Sequence, residues 1–127
     1  MKIKDLFETS STVFSFEIFP PNEKFPIDKF YEVINNLSKH KPDYISVTYG
    51  AGGSTRDKTV EIASHIKNNL NIETVAHLTC VGSTRNEIQN ILNQLKDNNI
   101  KNILALRGDI LKGETEAVFD KGDYKYS

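Results

Sequence analysis

The sequence is built on a strand-and-helix unit that repeats with an almost constant length. Each of four strand-like segments ends near a polar residue, and successive polar residues are 31, 29 and 30 positions apart: Glu17, Thr48, His77 and Arg107. Repeated βα units form a parallel sheet with right-handed crossover connections. Because the units are equal in length and their loops are short, the pattern favours a closed (β/α)8 barrel over an open, doubly wound sheet. In such a barrel the functional groups lie at the carboxyl ends of the strands, where all four polar residues fall.

The hydrophobic periodicity of the sequence predicts the strands and helices of these units. The strand candidates are residues 13–19, 44–49, 73–78 and 102–106. Three helices are predicted from apolar residues at helical spacing, namely Phe30, Val33, Ile34 and Leu37, then Val60, Ala63, Ile66 and Leu70, then Ile88, Ile91, Leu92 and Leu95. A complete barrel needs about 250 residues. The 127 residues are therefore expected to form a single domain, half of a TIM-barrel-type α/β fold with about four strands and three helices.

Local signals mark where some of these elements begin and end. Two similar segments, GSTRD at 53–57 and GSTRN at 82–86, precede the second and third helices. A Ser or Thr in each can accept a first-turn amide, and Asp57 or Glu87 can complete a capping box. Ile3, Leu6 and Phe7 predict one turn of amphipathic helix near the start of the chain. From position 110 onward no apolar stripe is present, which predicts a long loop.

Composition restricts the classes of partner that the chain can have. The formal net charge is −1, and Lys and Arg are spread along the whole sequence, so no basic patch for nucleic acid is expected. The single cysteine excludes an internal disulfide and leaves no paired Cys and His spacing for a metal. No apolar run approaches the roughly 20 residues of a membrane span, and no signal peptide is recognisable. A cytoplasmic protein without a membrane or nucleic-acid partner is expected.

Glu17 is the first candidate for chemistry, because it lies in the apolar strand pattern FSFEIFPP. Strand alternation places it on the opposite side from Phe16 and Ile18. A solvent-facing glutamate at a sheet edge is the ordinary interpretation. Its position at a strand end, followed by the rigid Pro20 and Pro21, favours a functional role. Partial burial in a barrel mouth favours the protonated form of a carboxyl group and would suit it to donate a proton.

Three further segments contain residues that could bind a ligand. VTYGAGGST at 47–55 lacks the glycine spacing of a dinucleotide fingerprint, so a ligand-binding turn and a plain capped turn are about equally supported. His77 is a lone histidine on a strand, and Cys80 is more readily interpreted as a small buried side chain than as a nucleophile. ALRGD at 105–109 could close the strand with a salt bridge, or could bring Gly108 and Asp109 against a flat heterocycle.

These residues together resemble a known family. FSFEIFPP, YISVTYGAGGSTRDKT, AHLTC and ILALRGD occur in this order on four successive strand ends, and they closely resemble the N-terminal half of methylenetetrahydrofolate reductases from about residue 13 to residue 109. The resemblance implies a flavin-containing (β/α)8 barrel. Such an enzyme reduces 5,10-methylenetetrahydrofolate to 5-methyltetrahydrofolate, and its FAD is reduced by NADH or NADPH in a ping-pong sequence.

The resemblance also implies roles for individual residues. Glu17 matches the general acid that protonates N10 of the folate, and Asp109 matches the acidic group that tunes the flavin and orients the folate. Residues that match the FAD site are Thr48, His77, Leu106, Arg107, Gly108, Asp109 and, on a looser alignment, Tyr126. A homo-oligomer is expected. The alternative is a non-catalytic half-barrel that self-associates through its open sheet edges and binds a nucleotide weakly or not at all.

Overall fold

The computed structural model of the chain describes residues 1–49 and 53–109, with the backbone alone described at 53–57. Helices and strands alternate along these residues. In chain order the elements are α1 (Ile3–Thr9), β1 (Ser15–Ile18), α2 (Ile27–Ser38), β2 (Tyr44–Val47), α3 (Gly53–Ser64) continued by a π-helical turn (His65–Asn69), β3 (Glu73–Thr79), α4 (Arg85–Asp97) and β4 (Asn102–Leu106). Residues 110–127, which include Tyr126, and the predicted glycine turn at 50–52 lie outside the described residues.

The four strands form one parallel sheet in the order β1, β2, β3, β4. Glu17 aligns with Ser46, and Ser46 aligns with Val75. Further along β3, His77 aligns with Leu104 of β4. The predicted α/β class with sequential parallel strands is confirmed. Closure into an eight-stranded barrel stays a prediction, since the sheet has four strands in the described part of the chain.

The two faces of the sheet differ in character. One face packs against the helices, and the fully buried side chains of its core include Ile34, Ile45, Val47, Ile62, Ala63, Ile66 and Ala76. Strand alternation puts a more polar set on the opposite face. We call this the front face, and it carries Ser15, Glu17, Tyr44, Ser46, Glu73, Val75, His77, Thr79, Asn102, Leu104 and Leu106. Glu17 therefore points away from the apolar core, as its alternation predicts.

Two of the predicted apolar stripes need correction. Val33 is 49% exposed, whereas the neighbouring Ile34 is fully buried. Successive residues of a helix are 100° apart, so Phe30, Ile34 and Leu37 face the sheet and Val33 falls beside that stripe. In α1, likewise, Leu6 is buried but Phe7 is 61% exposed.

Helix α4 begins with the capping box that its sequence predicts. The Glu87 amide donates to Thr84 Oγ1 at 3.3 Å, and the Thr84 amide donates to Glu87 Oε2 at 2.7 Å. These two bonds satisfy amides that a helix start otherwise leaves without partners. Helix α3 begins at Gly53, and the side chains predicted to cap it lie outside the described residues.

A cluster around Glu73 fixes the first residues of the chain at the amino edge of the sheet. Glu73 Oε2 lies 2.8 Å from Lys67 Nζ and 3.0 Å from the amino group of Met1. Asn102 donates to Glu73 Oε1 at 3.1 Å and accepts a hydrogen bond from the Ile3 amide at 2.9 Å. Burial alone would raise the pKa of Glu73, but the hydrogen bonds from Lys67 and the amino group outweigh it and hold this pKa below its ordinary value. The cluster lies at the edge opposite to the carboxyl ends of the strands.

Candidate functional site

Glu17 and His77 come together near the carboxyl edge of the front face. Glu17 Oε1 is 3.4 Å from His77 Nε2. The histidine side chain is 10% exposed, whereas the glutamate side chain is 52% exposed. The sequence predicts that Glu17 is partly desolvated. In the described structure β1 is an edge strand, so one flank of Glu17 is open and the carboxylate is accessible to a ligand.

The contact between these two residues crosses an intervening strand. Glu17 is on β1 and His77 is on β3, and β2 lies between them. Ser46, the front-face residue of β2 that aligns with Glu17, is itself 9% exposed. Both long side chains therefore extend toward each other across β2, and His77, which has no carboxylate near it in sequence, gains an acidic partner.

Thr48 follows β2 directly and is held by backbone bonds. Its amide donates to the Ile18 carbonyl at 3.0 Å, which extends the β1–β2 pairing by one residue. Its own carbonyl accepts a hydrogen bond from Thr59 Oγ1 at 3.1 Å. Helix α3 is thus connected to the end of β2, and Thr48 is fixed at the same edge of the sheet as Glu17.

The loop after β3 is bound to the end of β4. The Cys80 amide donates to the Leu106 carbonyl at 3.0 Å, and the Val81 amide donates to the Arg107 carbonyl at 2.9 Å. Parallel pairing therefore continues beyond the strand ends. Leu106 is 38% exposed, and Arg107 is also exposed, so their side chains are accessible at this edge while the backbone is held in place.

Gly108 allows a close approach between the same two segments. Its φ of +88° lies in the left-handed region, which residues with a Cβ atom rarely adopt. A Cβ atom at this position would collide with Val81 Cγ1 and would lie 3.2 Å from Thr79 Cβ. The glycine is required both for its conformation and for space. It sets the direction of the chain at Asp109, which is exposed beside the site.

Cys80 lies beside these residues without the features of a nucleophile. Burial raises the pKa of its thiol, which disfavours the reactive thiolate. The interpretation of Cys80 as a small, partly buried side chain is therefore the better supported one.

The structure gathers most of the residues that the sequence singled out. Glu17, Thr48 and His77 lie at one edge of the sheet with the segment from Leu106 to Asp109. Sequence analysis did not predict the contact between Glu17 and His77, and it did not select Ser46. The signal was available in the strand alternation and the 30-residue period, which place all three on one face near one edge. Tyr126 lies outside the described residues.

The chain is similar to a known protein family and to individual proteins of that family. Residues 2–127 match the family model described as methylenetetrahydrofolate reductase. The chain is 40% identical over 123 residues to a protein of Arabidopsis thaliana named methylenetetrahydrofolate reductase (NADH) 1, an alignment covering 97% of the chain. It is also 40% identical over 99 residues, 78% of the chain, to the 5,10-methylenetetrahydrofolate reductase of Escherichia coli strain K12.

The chain spans only part of these relatives. The alignment covers 21% of the plant protein and 33% of the bacterial one. The family model and the plant alignment include Glu17, His77 and Asp109, and the relatives contain further segments outside the alignments.

Proposed function

Because this chain belongs to the methylenetetrahydrofolate reductase family, we propose that it supplies the acid and part of the flavin site for reduction of 5,10-methylenetetrahydrofolate to 5-methyltetrahydrofolate. NADH or NADPH is the electron donor in this proposal. The observation that carries it is the paired Glu17 and His77 at the carboxyl edge of the sheet, on segments that match the family. The name of the plant relative specifies NADH, so NADH is the donor to test first.

Glu17 has the position that a proton donor to the folate requires. Its carboxyl group is anchored at 3.4 Å from His77 but is half exposed, so a substrate atom can reach it. A general acid must lie within hydrogen-bond reach of the atom that it protonates. We assign protonation of folate N10 to Glu17, and we assign to His77 the role of holding the glutamate side chain near the edge of the sheet.

The same edge has the chemical groups that a flavin needs. Leu106 presents an exposed apolar side chain, Thr48 and His77 provide polar atoms, and Gly108 removes the Cβ that would obstruct the loop. A flat ring with one apolar face and a polar rim fits such a surface. The residues proposed to hold FAD are Thr48, His77, Leu106, Arg107, Gly108, Asp109 and Tyr126. When bound, FAD would supply the hydride chemistry, while the protein provides the acid and the orientation of the ligands.

A second candidate function is self-association without catalysis. Strand β4 is an edge of the described sheet, and Ile103, Leu104 and Leu106 on it are each at least 38% exposed. Unpaired edges with apolar side chains are templates for pairing with another chain. Two copies placed edge to edge would bury these residues, and light scattering would detect the resulting dimer.

Flavin binding distinguishes the two functions. The purified protein would be titrated with FAD and followed by quenching of flavin fluorescence, and then mixed anaerobically with NADH. The proposed function requires bound flavin that NADH bleaches and that methylenetetrahydrofolate reoxidises. His77→Leu should weaken FAD binding, while the control His40→Leu, which changes a histidine packed near Phe16, should not. A self-associating protein that leaves FAD fluorescence unchanged would favour the second candidate.

A further inference from the structure

The contact between Glu17 and His77 depends on what lies between them. The two residues are on strands that are not neighbours, because β2 separates β1 from β3. Adjacent strands are about 4.8 Å apart, so the backbones of β1 and β3 are separated by roughly 10 Å. The two side chains nevertheless come within 3.4 Å at Glu17 Oε1 and His77 Nε2. Both must therefore extend over the front face of β2.

Ser46 is on the front face of β2, beside the end of this path that starts at Glu17. It aligns with Glu17 on one side and with Val75 on the other. Val75 and His77 are two positions apart on the same strand and therefore share its front face. Ser46 is 9% exposed, so neighbouring residues cover it.

We propose that Ser46 is a positioning residue, whose small volume lets Glu17 reach His77 across β2. Its volume matters in this proposal, and its hydroxyl group does not. A larger side chain at position 46 would fill the space above β2 and displace the Glu17 carboxylate toward solvent. The catalytic consequence rests on the proposed function, since it requires that Glu17 donates a proton to folate. The effect on the Glu17–His77 contact does not rest on it.

A comparison of four residues at position 46 separates the effect of side-chain volume from the effect of hydrogen bonding. The wild-type serine is small and carries a hydroxyl group, and Ser46→Ala is small without one. Ser46→Thr and Ser46→Val add a branched side chain, with and without a hydroxyl group respectively. Thr and Val both have high strand propensity, so both variants are compatible with β2. Ser15→Val is the matched control, because it enlarges an exposed front-face residue of β1 that lies one row away.

The contact is measured by NMR of the imidazole nitrogens of His77. The chain has three histidines, so His40 and His65 serve as internal references and His77→Gln assigns the signal. Glu17→Gln should shift the His77 Nε2 resonance in the wild-type, Ser46→Ala and Ser15→Val proteins. The shift should be lost in the Ser46→Val protein and at least halved in the Ser46→Thr protein. Backbone spectra establish that each variant is folded.

Two results would overturn the proposal. One is a shift of His77 by Glu17→Gln that persists unchanged in the folded Ser46→Val or Ser46→Thr protein. The other is loss of the shift in the Ser46→Ala protein, which would show that the hydroxyl group matters. If Ser46→Val fails to fold, Ser46→Thr decides between these outcomes.

For the enzyme, Ser46→Val should lower kcat for folate reduction by about 10²-fold, the cost of a small misplacement of a catalytic group, with flavin reduction by NADH retained. The Ser46 variants could lose the Glu17-dependent shift of His77 while the wild-type protein has no folate reductase activity. That pair of results would support the positioning role and reject the proposed function.

Discussion

Glu17 Oε1 lies 3.4 Å from His77 Nε2, although the two residues belong to strands that do not pair with each other. The histidine is nearly buried and the glutamate is half exposed. His77 is therefore the member of the pair that is held within the sheet, and Glu17 is the member that a ligand can reach. Such a pair can hold a carboxyl group in one orientation and still allow it to exchange a proton with a bound substrate.

If the proposed function holds, Glu17→Gln should separate its two half-reactions, reduction of the flavin by NADH and reduction of the folate. Glutamine keeps the size of the side chain but cannot donate the proton that folate reduction requires. Reduction of methylenetetrahydrofolate should fall by at least about 10²-fold, while reduction of the flavin by NADH remains. Stopped-flow absorbance of the flavin measures both steps separately. The control is Glu8→Gln, an exposed glutamate of α1, which should change neither step. Folate turnover near the wild-type rate in Glu17→Gln would reject the assignment of Glu17 as the acid.

Asp109→Asn should change the flavin rather than the fold. In the proposed flavin site, the negative charge of Asp109 would disfavour the anionic reduced form of the flavin, so removing the charge should raise the reduction potential and alter the affinity for folate. Asp97→Asn, at the exposed end of α4, is a matched control with the same change of charge. A spectroelectrochemical titration measures the potential. An unchanged potential together with unchanged folate binding would instead support a structural role for Asp109 at the end of β4.

The fold could largely be predicted because its signals are local. Strand β4 was predicted with its observed bounds, and β1, β2 and β3 were each displaced by no more than two residues at either end. The capping box of α4 was readable because Thr84 and Glu87 are three positions apart. The assignment of Val33 to the buried stripe was wrong, since packing against the sheet decides which of two adjacent apolar residues is buried. The π-helical turn after α3 was not predicted.

The site was only partly predictable because its contacts are between distant segments. Glu17, Thr48 and His77 could be selected from their period, but a lone histidine with no carboxylate near it in sequence gave no sign of a partner. That partner comes from a strand two places away. The Glu73 cluster was missed for the same reason, since Lys67, Glu73 and Asn102 come from three different segments.

Glu73 should make the stability of the protein depend on pH in the acid range. Its pKa in the folded protein is below its ordinary value of 4.5, so the unfolded chain binds more protons at low pH. The stabilisation by Glu73 is therefore complete above about pH 4.5 and is lost as the pH falls through the folded-state pKa. Glu73→Gln should lower the free energy of unfolding near neutral pH by roughly 1 to 3 kcal/mol.

The measurement is urea unfolding of Glu73→Gln and of the wild type at neutral and acid pH. The difference between the two proteins should shrink as the pH falls, because the wild-type carboxylate becomes protonated. Glu8→Gln again serves as the control and should show no such difference. The difference in the free energy of unfolding between Glu73→Gln and the wild type could instead stay constant from neutral to acid pH. That result would show that the charge of Glu73 is not what stabilises the amino edge.

Substitutions at Gly108 and Val81, which meet at the carboxyl edge of the sheet, should have coupled effects on the free energy of unfolding. A Cβ atom at position 108 would collide with Val81 Cγ1 and lie 3.3 Å from Val81 Cβ, and the φ of +88° disfavours any residue with a side chain. Gly108→Ala should therefore destabilise the protein by roughly 1 to 3 kcal/mol. In the Val81→Ala background the collision with Cγ1 is removed, while the conformational cost and the close approaches to Thr79 Cβ and to the Cβ atom of residue 81 remain. The cost of Gly108→Ala should then be smaller by about 1 kcal/mol, as measured by urea unfolding of the four proteins in the cycle. Strictly additive effects would show that the collision with Val81 Cγ1 is not what requires glycine at position 108.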